Sequence, residues 1–159
     1  MKGKYLILGS NLGDPESSLQ TALEKINSEL GRVVRTSSVY VTEAWGLKDQ
    51  PPFYNQVVEV KTELNAYETL EKLLEIETSM GRIRGKKWAE RIIDIDILYF
   101  DDQIINHDNL SIPHPGIPDR RFVLVPLCEL IPEMVHPVLQ VTNAELLGYT
   151  KETLELKKI

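Results

Sequence analysis

A strand–helix–strand–strand–helix–strand order predicts an α+β chain, and three observations carry that reading. Short apolar runs alternate with period two. Two amphipathic helices with their own start signals separate them. Turn residues mark nearly every junction. That order is the βαββαβ pattern of ferredoxin-like folds, here with an additional C-terminal hairpin and helices. With 159 residues the chain reads as one domain, residues 1–159, long enough to bury a core.

Tyr5-Leu6-Ile7-Leu8 forms the first strand, and Gly9-Ser10-Asn11-Leu12-Gly13 reads as a tight turn. Asp14 is an N-cap, Pro15 takes the first helical position and Glu16 suits the positive helix end. Leu19, Ala22, Leu23, Ile26 and Leu30 mark one helical face, and Gly31 suits the stop. Val33 to Val41 is β-branched and reads as one strand. A loop over residues 42–52 follows, carrying Trp45, and then a strand over Phe53 to Val60. Asn65 and Glu68 form a capping-box pattern ahead of a helix that ends at Gly81. Residues 82–91 form a basic loop around Trp88. Asp101-Asp102 reads as a turn into a strand over Gln103-Ile104-Ile105. A proline-rich segment spans 111–120, a helix spans about Arg121 to Leu130, and Asn143 to Leu147 is a last short helix.

Composition excludes several classes. Hydrophobic content of 42% and charged content of 26% are those of a globular chain. No stretch approaches the ~18 apolar residues of a membrane span. A net charge of −6 argues against a nucleic-acid partner. Met1-Lys2-Gly3-Lys4-Tyr5 runs straight into a strand, without the pattern of a signal peptide. Cys128 is the only cysteine, so no internal disulfide forms, which fits a reducing, cytoplasmic setting. Between Leu127 and Leu130 it reads as a small buried hydrophobe.

The stretch Ile92-Ile93-Asp94-Ile95-Asp96-Ile97-Leu98-Tyr99-Phe100 carries the most chemistry. Alternation places Asp94 and Asp96 on one strand face, about 7 Å apart, with Ile93, Ile95 and Ile97 on the other. Two like charges on one half-buried face repel and lose hydration. A hard divalent cation such as Mg²⁺ offsets that cost. The basic loop supplies Arg82, Arg84, Lys86, Lys87 and Arg91 just before these aspartates, a pairing that suits a polyphosphate. Glu77 lies on the inward stripe of its helix and needs a partner, which Arg82 or Arg84 can supply. Phe53 and Asn55 share a strand face. An aromatic to stack and an amide to read edges suit a flat heterocycle, and Phe122 can face Phe53 to complete a sandwich. His114, held between Pro113 and Pro115, reads with Arg120 as a second phosphate contact. His107 and His136 receive no role. A ligand-binding sensor and an RNA-binding module share this topology, but two aspartates on the strand face repel an RNA phosphate.

Taken together, Leu8-Gly9-Ser10-Asn11-Leu12-Gly13, Asp49-Gln50-Pro51, Tyr54-Asn55, Gly81-Arg82-Ile83-Arg84, Trp88 to Arg91, Asp94-Ile95-Asp96-Ile97-Leu98, Ile112-Pro113-His114, Arg120, Phe122 and Pro126-Leu127 resemble the 6-hydroxymethyl-7,8-dihydropterin pyrophosphokinase family. The resemblance runs from about Tyr5 to Pro137. It implies a ferredoxin-like fold and transfer of pyrophosphate from ATP to the pterin's hydroxymethyl oxygen, leaving AMP. It implies two Mg²⁺ ions on Asp94 and Asp96, with catalysis by these residues and by Arg82 and Arg91. Thr42, Trp45, Phe53, Asn55 and Phe122 are then the pterin residues. Glu77, Arg84, Trp88, Ile97, Ser111, His114 and Arg120 surround ATP. The implied partners are these two small molecules, on a monomer, with no nucleic acid and no membrane. The family commonly has Trp-Gly-Pro-Arg where this chain has Trp88-Ala89-Glu90-Arg91, an aromatic where Pro115 stands, and a tyrosine at the Phe53 position. Loops near residues 10–14, 42–52 and 82–91 are candidate lids.

Overall fold

The computed structural model describes residues 3–42, 51–82 and 91–159. Trp45, Arg84, Lys86, Lys87 and Trp88 lie outside the described residues, as does most of the two long loops that carry them.

The chain runs β1 (Lys4–Ser10), α1 (Pro15–Glu29), β2 (Arg32–Thr36), β3 (Tyr40–Thr42), β4 (Phe53–Lys61), α2 (Ala66–Ser79) and β5 (Asp94–Phe100). It continues through β6 (Ile105–His107), β7 (Leu110–Ile112), α3 (Arg121–Leu130), α4 (Asn143–Tyr149) and β8 (Lys157–Lys158). The main sheet is antiparallel in the order β5-β1-β4-β3-β8, with β2 also pairing β4. β6 and β7 form the separate hairpin. This is the expected ferredoxin-like α+β arrangement. No helix among the described residues is long and apolar enough to cross a membrane.

Helix starts follow the sequence signals. The Asp14 side chain accepts from the Ser17 amide ahead of Pro15. Asn65 and Glu68 exchange the two bonds of a capping box, each 2.9 Å. Gly81, at φ 90°, adopts the left-handed conformation that lets α2 stop. α3 spans the expected residues, Pro126 included.

Period-two alternation splits the sheet into two faces. Leu6, Leu8, Val58, Val60, Ile95 and Ile97 pack with Leu19, Ala22 and Ile26 of α1 and Leu73 and Ile76 of α2. Tyr5, Ile7, Val57 and Leu98 pack on the opposite side against Val123, Leu124 and Leu127 of α3 and Leu146 of α4. A βαββαβ sheet with both helices on one face leaves its other face open. The C-terminal helices instead cover part of it, because that face is as apolar along Tyr5, Ile7 and Val57 as the first. Only the end bearing Asp94, Gly9, Asn55 and Phe53 stays out of this second core.

Four local readings need correction. Val33 to Val41 is two strands, broken at Ser37. The Ser37 hydroxyl accepts from the Val57 amide at 2.9 Å, while its own amide donates to Val57 O at 2.8 Å. Thr36 stands opposite Val58 but Tyr40 opposite Asn55, so one strand carries an extra residue as a bulge. The turn after β1 begins at Asn11, since Gly9 and Ser10 still pair with Asn55 and Tyr54. The strand expected at Gln103-Ile104-Ile105 lies later. Asp101, at φ 56°, and the Gln103 amide bonded to Phe100 O spend these residues on a turn, and pairing starts at Ile105 with Ile112. Cys128 is only half-buried.

Candidate active site

The sheet register assembles the site. Asp94 on β5 stands opposite Gly9 on β1, Gly9 opposite Asn55 on β4, and Asn55 opposite Tyr40 on β3. Directly opposed residues share a face, so Asp94 and Asn55 face the same side two strands apart. That separation is about 10 Å at the usual strand spacing. Asp96 lies one pleat along, opposite Ile7, and Phe53 and Thr42 pair at the next position of β4 and β3. Asp94 and Asp96 therefore share a face while Ile93, Ile95 and Ile97 are buried in the helix-side core, as alternation requires.

Two guanidinium groups converge on Asp94. Arg82 Nη1 donates to Oδ1 at 2.7 Å and to Ile93 O at 2.9 Å, and Arg91 Nη1 donates to Oδ2 at 3.2 Å. Arg82 Nε is buried and meets no acceptor among the described residues. Glu77, at 3% exposure, lies beneath them with Oε2 4.0 Å from Arg82 Nη1. The same oxygen accepts the Ile95 amide at 2.7 Å. Glu77 thus pins the end of α2 to the outer edge of β5.

Asp96 is pushed up to about 7, by loss of hydration first and then by the charges of Asp94 and Glu77, which Arg91 and Arg82 only partly offset. A site whose own cations leave a carboxylate this unfavourable suits a further positive charge. Among the described residues no group of three or more His, Cys, Asp or Glu is placed to hold a metal ion. Two carboxylates on one face fit Mg²⁺, which takes few protein oxygens and keeps the rest of its shell for water and phosphate.

His114 closes the other side. Its amide donates to Leu98 O at 2.9 Å, and its Nδ1 accepts from the Gly116 amide at 2.9 Å. Nε2 therefore carries the proton, 3.8 Å from Asp96 Oδ2. Burial, and then the charge of Arg120, hold the ring below its usual pKa. The Arg120 guanidinium packs against Gly116 and lies 5.9 Å from the Phe122 ring centre. Phe122 is half-buried on α3 beside the second core, and Phe53 is half-buried on β4.

The sheet and its neighbours thus bring together Arg82, Arg91, Asp94, Asp96, Glu77 and His114, and on the same face Thr42, Phe53 and Asn55. Ser111 sits half-buried on β7 between Leu110 and Ile112, whose side chains are buried in the helix-side core. Ile97 follows the alternation. Its side chain is buried on the helix side, so only its main chain, on edge strand β5, can face a ligand. Sequence reasoning gave no separate role to Asn11. At 1% exposure it ties three segments: its amide donates to Arg91 O at 3.0 Å, its Oδ1 accepts from the Arg91 amide at 2.7 Å, and its Nδ2 donates to Pro51 O at 3.2 Å. A polar residue directly after an apolar strand was the available signal.

A ferredoxin-like sheet that sets an acid pair among arginines at one end defines an enzyme that handles an anionic substrate. The family model for 7,8-dihydro-6-hydroxymethylpterin-pyrophosphokinase (HPPK) matches residues 5–132, and the chain belongs to that family. It is 41% identical over 139 residues to the 2-amino-4-hydroxy-6-hydroxymethyldihydropteridine pyrophosphokinase of Haemophilus influenzae, covering 86% of each chain. It is 40% identical over 142 residues to that of Bacillus subtilis, covering 89% of this chain and 83% of the relative. It also matches the folic acid synthesis protein fol1 of Schizosaccharomyces pombe at 41% identity, but only over 18% of that longer protein. An HPPK-DHPS crystal structure from Plasmodium falciparum superposes with a TM-score of 0.76 at 24% identity. The match covers 92% of this chain and 43% of that one, a likeness of fold alone. The chain is accordingly a folate-pathway transferase that moves pyrophosphate from ATP to hydroxymethyldihydropterin.

Proposed function

We propose that residues 1–159 act as one catalytic domain, a cytoplasmic monomer, in which Asp94 and Asp96 hold two Mg²⁺ ions against the ATP polyphosphate. The observation that carries this reading is the register row Asp94–Gly9–Asn55, which sets an acid pair and a carboxamide on one sheet face within a substrate's length. Bound there, the ions would supply positive charge to the phosphate oxygens.

The chain's own groups divide the remaining work. Asn55 reads the edge of the pterin, Phe53 and Phe122 cover its two faces, and Thr42 and Trp45 complete that half. Arg82 and Arg91 share Asp94, and a guanidinium has five donors, so each keeps N–H groups for phosphate oxygen. The buried Arg82 Nε is such a donor. Arg84, Trp88, His114 and Arg120 line the nucleotide, with Ser111 and the Ile97 main chain nearer its base. Glu77 acts from below, by fixing Arg82 and the edge of β5.

The reaction needs no covalent enzyme intermediate. The pterin's hydroxymethyl oxygen bonds to the β-phosphorus and gives up its proton to solvent, the bond from that phosphorus to the α,β-bridging oxygen breaks, and AMP leaves. The arginines stabilise charge that shifts onto the phosphate oxygens. Alignment of two bound substrates can itself supply roughly 7–11 kcal/mol. Incubation with β-labelled ATP, Mg²⁺ and hydroxymethyldihydropterin tests the assignment. Label in the pterin product with equimolar AMP is expected for the wild type, and its loss in Asp94→Asn and Arg91→Ala. Retention of full transfer in those variants would contradict the residue roles.

A further inference from the structure

We propose that Gly9 is a positioning residue for pterin recognition, acting through Asn55, and that its missing side chain sets where the Asn55 carboxamide stands. This rests on the reading of Asn55 as a pterin contact. A Cβ built on Gly9 would lie 2.8 Å from Asn55 Oδ1, a distance real Cβ atoms do not tolerate. Its next contacts, Asn55 Cγ and Tyr54 O, are at 3.9 Å, which is ordinary packing. Among the described residues, the one atom a Cβ at position 9 would crowd is therefore the amide oxygen itself. Gly9 is also the residue opposite both Asp94 and Asn55 in the sheet, so it forms the floor between the acid pair and the amide.

Glycine in a strand interior weakens the strand and marks a place where another group approaches closely. Here the approaching group is polar and only 6% exposed. A methyl group at position 9 would rotate or lift the carboxamide without disturbing the backbone. The penalty would then fall on recognition of the ring rather than on the fold.

The test compares wild type, Gly9→Ala, Asn55→Ala and the double variant for pterin KM, ATP KM and melting temperature. We expect Gly9→Ala to raise pterin KM about tenfold, the size of one lost hydrogen bond, with ATP KM unchanged and the melting temperature close to wild type. In the Asn55→Ala background the glycine substitution should add nothing, because the group it displaces is gone. Unchanged pterin KM in Gly9→Ala, a parallel rise in both KM values, or additive effects in the double variant would overturn the proposal. So would a Gly9→Ala chain that fails to fold and regains stability in the double variant, since the contact would then serve folding. If Asn55→Ala itself leaves pterin KM unchanged, the reading of the pterin site fails, and this inference with it.

Discussion

Asn11 and Arg91 are joined twice, once backbone to backbone and once through the Asn11 side chain. The Arg91 amide donates to Asn11 Oδ1 at 2.7 Å and the Asn11 amide donates to Arg91 O at 3.0 Å. With Asn11 Nδ2 on Pro51 O, one buried side chain couples the turn after β1, the residue entering β5 and the chain entering β4. The chain segments that enter β4 and β5 thus share one anchor. Asn11→Ala removes two of these bonds. Its turnover should fall by ~10²-fold, the scale of a small misplacement of reacting groups. Steady-state kinetics with both substrates saturating would check it.

Arg91 Nη1 pairs with Asp94 Oδ2 at 3.2 Å, and the proposal gives its remaining donors to phosphate. Arg91→Ala should lower kcat by roughly 10²–10³-fold, as loss of a preorganised donor does. Pterin KM should change much less. Titration of the pterin against the variant, beside its kcat, separates the two. A pure loss of pterin affinity would assign Arg91 to the wrong substrate.

Glu77 gives the Ile95 amide its acceptor on the outer edge of β5. Glu77→Ala leaves that buried donor unmatched, at a cost of about 1–3 kcal/mol. Urea unfolding should show the loss without any substrate present. Wild-type stability in that variant would mean that Glu77 does not anchor β5.

His136 was given no role from its sequence context, yet its Nδ1 accepts from the Val138 and Leu139 amides and the ring is 5% exposed. Burial holds its pKa below the ordinary histidine value. A base whose folded pKa is depressed contributes stability in full above its unfolded pKa, about 6.5, and loses it as pH falls through that range toward the folded value. Wild type should therefore lose more stability between pH 7.5 and pH 5 than His136→Asn, whose amide oxygen accepts at any pH. Equal losses would remove His136 from the pH response.

Strand faces were legible because period two is a property of the backbone. Asp94 and Asp96 opposite Ile95, and Phe53 beside Asn55, follow from counting alone. Helix starts at Asp14 and Asn65 were equally local. What escaped depended on contacts distant in sequence. The break at Ser37 arises from a hydroxyl that meets β4 twenty residues away. The covering of the second face needs α3 and α4 to return across the sheet, which the βαββαβ order does not encode. Asn11 looks like an ordinary turn residue until Pro51 and Arg91 are brought beside it. Ile97 was assigned by likeness to a family pattern, and the side-chain direction follows only from the same alternation that placed the aspartates.

The central claim is that Asp94 and Asp96, set on one face at the open end of the sheet, jointly serve phosphoryl transfer. AMP formation by Asp94→Asn and by Asp96→Asn, at saturating ATP, Mg²⁺ and hydroxymethyldihydropterin, tests it most directly. Turnover is expected to fall by at least ~10³-fold in each, about 4 kcal/mol of barrier. Turnover near the wild-type rate in both variants would contradict it.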